Sequence, residues 1–463
     1  MSPCTPSSAL AQSYTAPYTD VTLAQFITQI SSLMDDTAQV YWTVDEIQST
    51  VHEALLYWGA LTGYWRTRAT FNACPFVQQF QGTAWAPPYV DLSQQLPLLR
   101  TRAYTLGQLV KEIQTALMES SSGVSGTGMS GQISVTAIIS AVQDARNKFV
   151  LDARLPLSYH WPVASTPQSG IITLPDASVY VHRLAWQDSG GQWTPLWRQD
   201  SWAIDYSHPD WTVRAGAPKS YSESELAPLM LELAPPPLGG GSVEAFTVDS
   251  LPLAVADATP LGLPDEWVHA LKYKALSILL SSSSQLNDPL RAQYCQKRYE
   301  QYIEFSLSAI SVLRVQVNGV PMPLDSLSSY DASNPYWMNT SGPPESAVCM
   351  YDWVALIPAQ LDQLYGVAVD ITPTAPLPNL TGYMPVGLED LPNIEKYVRH
   401  ALSFKCGGKE FTSTMSEYDG YMRAVDGRKR INKAKIQYLE PLFGAGLRDD
   451  QMRKDQAEEV QSA

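Results

Sequence analysis

The sequence predicts an α+β protein that consists mainly of α-helical bundle modules with small antiparallel β domains inserted in them, and that is internally duplicated. Three observations lead to this prediction. Two pairs of helix-forming segments share one apolar spacing, β-branched segments follow, and turn residues recur about every eight to twelve positions within them. A repeated helical module needs a neighbour to bury its apolar face, so the duplication favours packing and assembly over catalysis.

The repeat is clearest in the first two helix pairs. Residues 22–27 (TLAQFI) return as residues 105–110 (TLGQLV), which predicts two short helices with the same buried face. Thr43 and Glu46 form a capping box that opens the next helix, and Gly63 is its predicted end. The apolar residues of this helix recur in the second pair, where Ile47, Val51, Ala54 and Trp58 align with Ile138, Val142, Ala145 and Phe149.

Two β segments and two further helix pairs follow along the chain. Residues 170–255 alternate apolar and polar side chains or are β-branched, which predicts a small sandwich or barrel. The Leu-Pro-Asp sequence at 263–265 opens a predicted helix to about residue 283, and Asp288-Pro289 opens another to about residue 311. After a second β segment, the Leu-Pro-Asn sequence at 391–393 opens the last pair in the same way.

The order of these elements predicts that one complete module is inserted in a loop of another. Such an insertion costs little when the ends of the inserted segment lie close together. The predicted parts are an extended N-terminal arm (1–20), an outer module (21–100 and 312–440), a nested inner module (101–311) and a C-terminal tail (441–463).

The composition indicates a folded chain with partners. Apolar residues make up 45% of the 463 positions, whereas charged residues make up only 17%, below the usual share of about 25%. Trp (13 residues) and Tyr (24 residues) are abundant, and both are favoured in protein interfaces. We therefore expect partners to cover much of the surface. The alternative is a large core rich in Tyr and Trp.

The charge and the cysteines restrict the class of protein further. A net charge of −15 argues against general nucleic-acid binding, although acidic walls suit a channel through which DNA slides without adhering. The five cysteines lie far apart and form no CxxC motif, so we expect reduced thiols. The N-terminal residues lack the features of a signal peptide, and no apolar run has the length of a membrane span, so we expect no membrane contact.

No sequence motif indicates catalysis or cofactor binding. The six histidines never occur at metal-ligand spacing, and the patterns GxxxxGK[ST], GxGxxG and GxSxG are absent. The Gly407-Gly408 pair follows a predicted helix, so we interpret it as a C-terminal glycine cap. The sequence therefore predicts no enzyme, no metal site and no cofactor.

One charged segment is a candidate binding site. Six basic residues fall within thirteen positions: Arg423, Arg428, Lys429, Arg430, Lys433 and Lys435. They are predicted to contact an acidic partner surface or DNA phosphates. The alternative is a solvated helix face, because Arg428, Asn432 and Lys435 have helical spacing.

Three apolar patterns resemble the head-to-tail adaptor (connector or neck) proteins of tailed bacteriophages. They are the helix start WTVDEI at 42–47, the LELAPPP sequence at 231–237 that ends a β excursion, and the helix start LPDEWVHALKYKA at 263–275. The resemblance covers residues 20–310 and, more loosely, 365–440. It implies a non-enzymatic virion protein with a helical bundle and a β insertion, assembled as a dodecameric ring beneath the portal.

The resemblance also implies partners and a location. The protein would lie in the virion neck or tail, after assembly in the host cytoplasm, and DNA would pass its channel without sequence-specific binding. Expected partners are further copies of the chain in a homo-oligomer, the portal protein, and tail, nozzle or other neck proteins. We expect residues from about 423 to 463 to order on a neighbouring ring protein, foremost the portal.

Two other classes of protein are compatible with the sequence. A tail-associated structural protein could bind a receptor or a glycan through the Trp- and Tyr-rich β region. A hydrolase of cell wall or polymer is the least favoured class, because the sequence shows no carboxylate or nucleophile constellation.

Overall fold

The computed structural model describes residues 19–73, 80–81, 84–85, 89–92, 103–117, 133–165, 170–207, 209–223, 230–254, 256–282, 287–308 and 312–443. The chain divides into two compact units, each made of several segments. The first unit includes Asn72–Ala309 and Pro323–Tyr365, and the second includes Ser8–Phe71, Ile310–Met322 and Gly366–Ala463.

The helices take up both units. In chain order they are α1 (Leu23–Leu33), α2 (Val44–Thr62), α3 (Leu106–Ala116), α4 (Val135–Ala153), α5 (Ser201–Ser207), α6 (Asp265–Ser281), α7 (Pro289–Ser308), α8 (Leu327–Ser333), α9 (Leu391–Ser403), α10 (Gly408–Ser413) and α11 (Met415–Phe443). Among the described residues, no helix combines the length and the apolar character that a membrane crossing needs.

The strands form sheets within each unit. They are β1 (Thr67–Ala73), β2 (Phe80–Gln81), β3 (Ala84–Trp85), β4 (Val90–Asp91), β5 (Leu157–Ser165), β6 (Ile171–Thr173), β7 (Ser178–Asp188), β8 (Trp193–Arg198), β9 (Ser220–Glu223), β10 (Met230–Ala234), β11 (Gly241–Asp249), β12 (Val312–Val317), β13 (Val320–Met322), β14 (Leu324–Ser326), β15 (Ser341–Gly342), β16 (Ser346–Met350), β17 (Trp353–Ile357), β18 (Gln360–Leu361) and β19 (Tyr365–Ile371). The first unit contains a seven-stranded sheet, β5-β11-β7-β8-β9-β10-β6, and a four-stranded sheet, β14-β16-β17-β4. The second contains the sheet β1-β19-β12-β13.

The second unit contains a helical bundle in which α9 and α11 pack against α2. The second half of α2, from Glu53 to Thr62, is almost entirely buried. The hydroxyl of Tyr397 on α9 donates a hydrogen bond of 2.6 Å to buried Glu53. In the sheet of this unit, Asp370 accepts from Arg68 Nε and Arg314 Nε, each at 2.7 Å. One carboxylate therefore joins three neighbouring strands.

The first unit contains a second bundle, in which α6 packs against α3, α4 and α7. The side chain of Arg146 on α4 is buried, and its Nη2 donates to the carbonyl oxygens of Pro252 (2.8 Å) and Leu261 (3.2 Å). These bonds hold the segment that enters α6 against α4, because a buried guanidinium without acceptors would be costly.

Helices α2 and α4 correspond in length, in the residues at their ends and at four aligned buried positions. Each has 19 residues, and each is capped by a hydroxyl side chain, Thr43 in α2 and Ser134 in α4. Each is followed by a residue with left-handed backbone, Gly63 (φ 57°) and Arg154 (φ 54°). The aligned buried pairs are Ile47 and Ile138, Val51 and Val142, Ala54 and Ala145, and Trp58 and Phe149.

The helices that precede them match as well. Both α1 and α3 have 11 residues and begin at a capping box. The capping pairs are Thr22 with Gln25 and Thr105 with Gln108. Each helix start also bonds to a later loop, since Leu23 N donates to Gly382 O and Leu106 N donates to Thr259 O, both at 2.9 Å. These matches favour the predicted duplication, which stays a prediction.

The seven-stranded sheet of the first unit buries one apolar cluster. Strand β11 pairs antiparallel with the edge strand β5 on one side and with β7 on the other, and it is buried along most of its length. The cluster consists of Ile172, Leu174, Val181, Leu184, Trp186, Leu196, Tyr221, Leu231, Leu233, Val243 and Ala245.

A second cluster of the first unit contains residues from this sheet and from the segment 323–365. Phe246 of β11 is buried with Trp337 and Val348 in this cluster. At its edge, Arg183 of β7 forms a buried ion pair with Asp331 of α8, at 2.5 Å, and a second one with Glu244 of β11. Trp337 Nε1 also donates to Asp331, at 2.8 Å. We call Arg183, Glu244 and Asp331 the buried triad.

The helix predictions agree with the structure to within a few residues at each end. The capping residues Thr43 and Glu46 and the end at Gly63 are confirmed. The glycine interpretation is wrong for Gly407, which has φ 65° and is the N-terminal cap of α10 instead of the end of a helix. The sequence also missed β5 and the short helix α5.

Several predictions fall on residues that the structure does not describe. The N-terminal arm up to residue 18, Cys4, Cys74 and the tail after residue 443 lie outside the described residues. Cys295, Cys349 and Cys406 are free thiols, as expected for these three. Burial raises the pKa of Cys349 to about 11, so this thiol is protonated at neutral pH. The boundaries of the nested modules stay a prediction.

The buried triad makes a prediction about stability. Replacing Arg183 by Leu leaves two carboxyl groups buried without their cation, and we expect the free energy of unfolding to fall by about 3–5 kcal/mol. Arg198→Leu is the matched control, because the Arg198 side chain is 53% exposed and its pair with Glu223 should contribute at most about 1 kcal/mol. Urea denaturation followed by tryptophan fluorescence measures both. Equal losses in the two variants would contradict the role of the triad.

A second prediction concerns pH. Burial raises the pKa of Glu244 to about 7, because desolvation outweighs the attraction of Arg183 while Asp331 adds repulsion. A raised pKa means that the folded state holds the proton more tightly, so this stabilisation is present at low pH and is lost as pH rises through about 7. We expect unfolding free energies measured at about pH 5 and pH 8 to differ by about 3 kcal/mol more in the wild type than in Glu244→Gln. An identical pH dependence in both proteins would show that Glu244 does not titrate in this range.

Candidate partner-binding surfaces

The predicted basic stretch lies on α11, which is anchored in the bundle of the second unit. Tyr418, Tyr421 and Val425 on one side of this helix are buried. The ring of Tyr421 stacks on Tyr57 with centroids 6.1 Å apart, and it lies 5.7 Å from the ring of Trp58. Because this face is occupied by the bundle, the other face of α11 is the one that can meet a partner.

Arg428 belongs to the packed face. Its side chain is 14% exposed and forms an ion pair with Asp390 and another, at 3.2 Å, with Glu389. The guanidinium also lies 5.4 Å from the centre of the Tyr64 ring. Burial alone lowers the pKa of the Arg428 guanidinium. The hydrogen bond and the charge of Asp390 raise this pKa by more, so the net shift is upward. The charge of Arg428 is thus used inside the second unit.

Asn432 is also packed. Its Nδ2 donates a hydrogen bond of 2.8 Å to the carbonyl oxygen of Thr62, at the end of α2. The alternative that Arg428 and Asn432 lie on a solvated helix face is therefore wrong, because both side chains are bonded within the bundle. Helical spacing alone could not distinguish a packed polar face from a solvated one.

The remaining basic residues divide into two groups. Arg423, Lys429 and Arg430 are exposed, and Arg423 and Arg430 are seven residues apart, so they share one face of α11. Lys433 and Lys435 lie in the same helix, but their side chains are outside the described part of the structure. The predicted interface is therefore represented on the described surface by three cations.

The first unit carries a second candidate surface, which the sequence did not single out. Between β8 and β9, the helix α5 exposes Trp202 (81%) and Tyr206 (93%). Ile204 on the same helix is buried together with Trp211, so the opposite side of this short helix is packed. Trp211 Nε1 donates to Asp205 at 2.7 Å. In the sequence, the i, i+4 spacing of Trp202 and Tyr206 is typical of one helix face. The helix was missed because the flanking segments have the pattern of β strands.

The two candidate surfaces differ in their chemistry. One is cationic and the other is aromatic and flanked by carboxylates, and large exposed aromatic side chains are typical of interaction sites.

Residues 104–316 match the family model described as SU10 adaptor protein. The matched segment runs from the start of α3 to β12, which is less than half of the chain. No curated protein matches the sequence.

The similarity indicates a virion-associated structural protein of the bacteriophage adaptor type. It favours a structural protein over an enzyme, since an adaptor acts by the contacts it makes. The predicted resemblance to phage adaptors is thus supported at this general level.

Because Arg428 is packed and Arg430 is exposed, we expect mutations of these two arginines to differ in their effect on stability. Arg428→Met leaves Asp390 buried beside an apolar side chain, so we expect the free energy of unfolding to fall by about 2 kcal/mol. Arg430→Met is the control and should stay within about 0.5 kcal/mol of the wild type, because Arg430 is exposed on the same helix. Guanidinium denaturation followed by circular dichroism measures both values. If Arg430→Met were the more damaging change, the assignment of these two arginines would be reversed.

Proposed function

We propose that the protein is a ring-forming head-to-tail adaptor, or neck component, that links the portal to the tail and lines the DNA channel. The observation that carries this proposal is the match of residues 104–316 to an adaptor family. The packed helix pairs and the two exposed interaction surfaces support it, because a ring subunit needs a rigid core and contacts on more than one side.

We propose further that the chain contains two copies of the adaptor module. The family match covers the inner copy, and the equivalent caps and buried positions of α1 and α2 support a second, outer copy. A doubled module would lengthen the path of the channel without a second protein. The dodecameric state and the virion neck as location rest on the resemblance to adaptors.

The overall charge suits passage of DNA during ejection. The chain carries a net charge of −15, so a ring of copies repels phosphates on average and DNA can move through it without adhering. The basic stretch is then available for acidic protein surfaces instead of DNA. Association driven by such charges is fast and weakens with salt.

The proposed contact with the portal uses the end of the chain. A truncation near Met422 would also remove Val425, Arg428 and Asn432, which pack in the bundle, and would test folding more than binding. We therefore propose removing residues 444–463, which follow α11. Filled heads without tails are the expected product when this truncated chain is expressed during assembly.

The control for that experiment is the full-length chain supplied in the same way. Electron microscopy and a tail-protein blot of purified heads measure the outcome. Particles with normal yield and intact necks would rule out a role of residues 444–463 in joining head and tail.

A second candidate function has one observation in its favour. A tail-associated protein that binds a receptor or a glycan needs exposed aromatic rings for stacking, and Trp202 and Tyr206 are such rings. Glycan-array binding by the purified protein that is lost in Trp202→Ala would favour this alternative.

A further inference from the structure

Three arginines of the second unit lie around a single carboxylate. Arg68 Nε and Nη2 donate to the two oxygens of Asp370, at 2.7 and 3.1 Å, and Arg314 Nε donates to Asp370 Oδ2 at 2.7 Å. The third is Arg66, which precedes β1 directly and shares a face with Arg68, because side chains two residues apart in an extended chain point the same way. Its Nη2 donates to the carbonyl oxygen of Asn432 on α11, at 3.0 Å, instead of to a carboxylate. We call Arg66, Arg68 and Arg314 the arginine cluster.

The arginine cluster carries more positive charge than its surroundings compensate. Three guanidinium groups share the one carboxylate of Asp370, which leaves an excess of positive charge. Among the described residues, Asp370 supplies the one carboxylate charge that acts on Arg66 and Arg68. Burial lowers the pKa of the Arg66 guanidinium, and the attraction of Asp370 does not make up for this cost. An anion bound beside Arg66 would supply the missing negative charge.

Carboxylates beside α11 do not offset this excess. Glu389 and Asp390 form ion pairs with Arg428, which lies one helical turn before Asn432. Exposed Asp426 is six residues from Asn432, which is about 9 Å along a helix. None of these three carboxylates is among the charges that act on the Arg66 guanidinium. The positive character is therefore confined to the sheet face that carries the arginine cluster.

The rest of this sheet face is polar. Thr70 and Asn72 are exposed on β1, and Gln316 lies beside them on β12 at the same side as Arg314. No large apolar side chain of the fully described strands β1, β12 and β19 is exposed, and Val320 on the edge strand β13 is. The centre of a protein interface is apolar and poor in charge, whereas surfaces that contact DNA are polar and rich in arginine. The composition of this face therefore favours a phosphate backbone over a protein surface.

We propose that the arginine cluster contacts phosphate groups of double-stranded DNA. Arginine presents its donors in a planar fork that matches the geometry of phosphate oxygens. Asp370 bonds Nε and Nη2 of Arg68 and so leaves the Nη1 group for another acceptor. The same bonds hold Arg68 and Arg314 in place, so less side-chain freedom is lost when an anion binds. The inference rests on the proposed DNA channel and assigns this sheet face to its wall.

A contact of this kind is compatible with the passage of DNA. It depends on charge and not on base sequence, so the DNA can slide from one set of phosphates to the next. Each copy of the chain would contribute one arginine cluster, and many weak contacts around a ring act together. The net charge of −15 keeps the rest of the surface from adhering.

Binding of a short fluorescent DNA duplex to the full-length chain tests the proposal. Fluorescence anisotropy over a salt series gives the affinity and its salt dependence. We expect the wild type to bind at low salt, and Arg66→Gln/Arg68→Gln to weaken binding about tenfold and to reduce the slope of log K against log salt by about 2. Arg423→Gln/Arg430→Gln is the matched control, because it removes the same charge from α11, where exposed Asp426 lies beside these arginines. The control should leave the salt slope unchanged.

A gain of binding separates the proposal from damage to the fold. Asp370→Asn removes the one carboxylate from the arginine cluster and keeps an oxygen that accepts from Arg68 or Arg314. We expect this variant to bind the duplex about threefold more tightly, because the excess of positive charge grows. Arg66→Lys/Arg68→Lys keeps the charge and should keep most of the salt slope. Circular dichroism and thermal unfolding check that every variant is folded.

The contrary results are distinct from failure of the proposed function. The inference is overturned if the wild type does not bind the duplex at low salt, if the control loses as much affinity as Arg66→Gln/Arg68→Gln, or if Asp370→Asn binds no more tightly than the wild type. It is also overturned if fluorescent poly-glutamate binds through the arginine cluster and the duplex does not, because the partner would then be an acidic protein. Filled heads without tails in the truncation experiment would still support the adaptor function in each of these cases.

Discussion

The buried pairing of Arg183 with Asp331 and Glu244 joins two parts of the first unit that are far apart in the sequence. A guanidinium and two carboxylates lose their water here, and the attraction of Arg183 offsets this cost only in part at Glu244, whose pKa is raised by burial. Asp331 comes from the segment 323–365, whereas Arg183 and Glu244 come from neighbouring strands of the seven-stranded sheet. The apolar cluster around Phe246 and Trp337 contains residues of both parts, and the triad adds ion pairs between them.

The sequence predicted the helices well because their signals are local. Thr43, Glu46 and Gly63 lie at the ends of one helix, and the apolar positions between them repeat with the helical period. The triad could not be predicted in this way, since Arg183 and Asp331 are 148 positions apart and each looks like an ordinary surface charge in the sequence. Pairing between distant residues also explains why the sequence predicted a second β segment near residues 323–365 but not its individual strands.

The candidate binding surfaces could also be predicted from the sequence only in part. The basic stretch was visible as a cluster in the sequence, but its split into packed Arg428 and exposed Arg423 and Arg430 depends on where Asp390 and Tyr64 lie. The aromatic pair Trp202 and Tyr206 becomes a surface only because Ile204 and Trp211 fill the space beneath it. Local pattern therefore located the charges, and tertiary packing decided which of them are available to a partner.

In the proposed adaptor, packed helix pairs hold the subunit shape and the overall negative charge lets DNA pass without adhering. Cryo-electron microscopy of the particle neck tests this account most directly. We expect a closed ring of copies of this chain between portal and tail, around a channel wide enough for double-stranded DNA. Copies found only on a fibre or at the distal tip of the tail would contradict it.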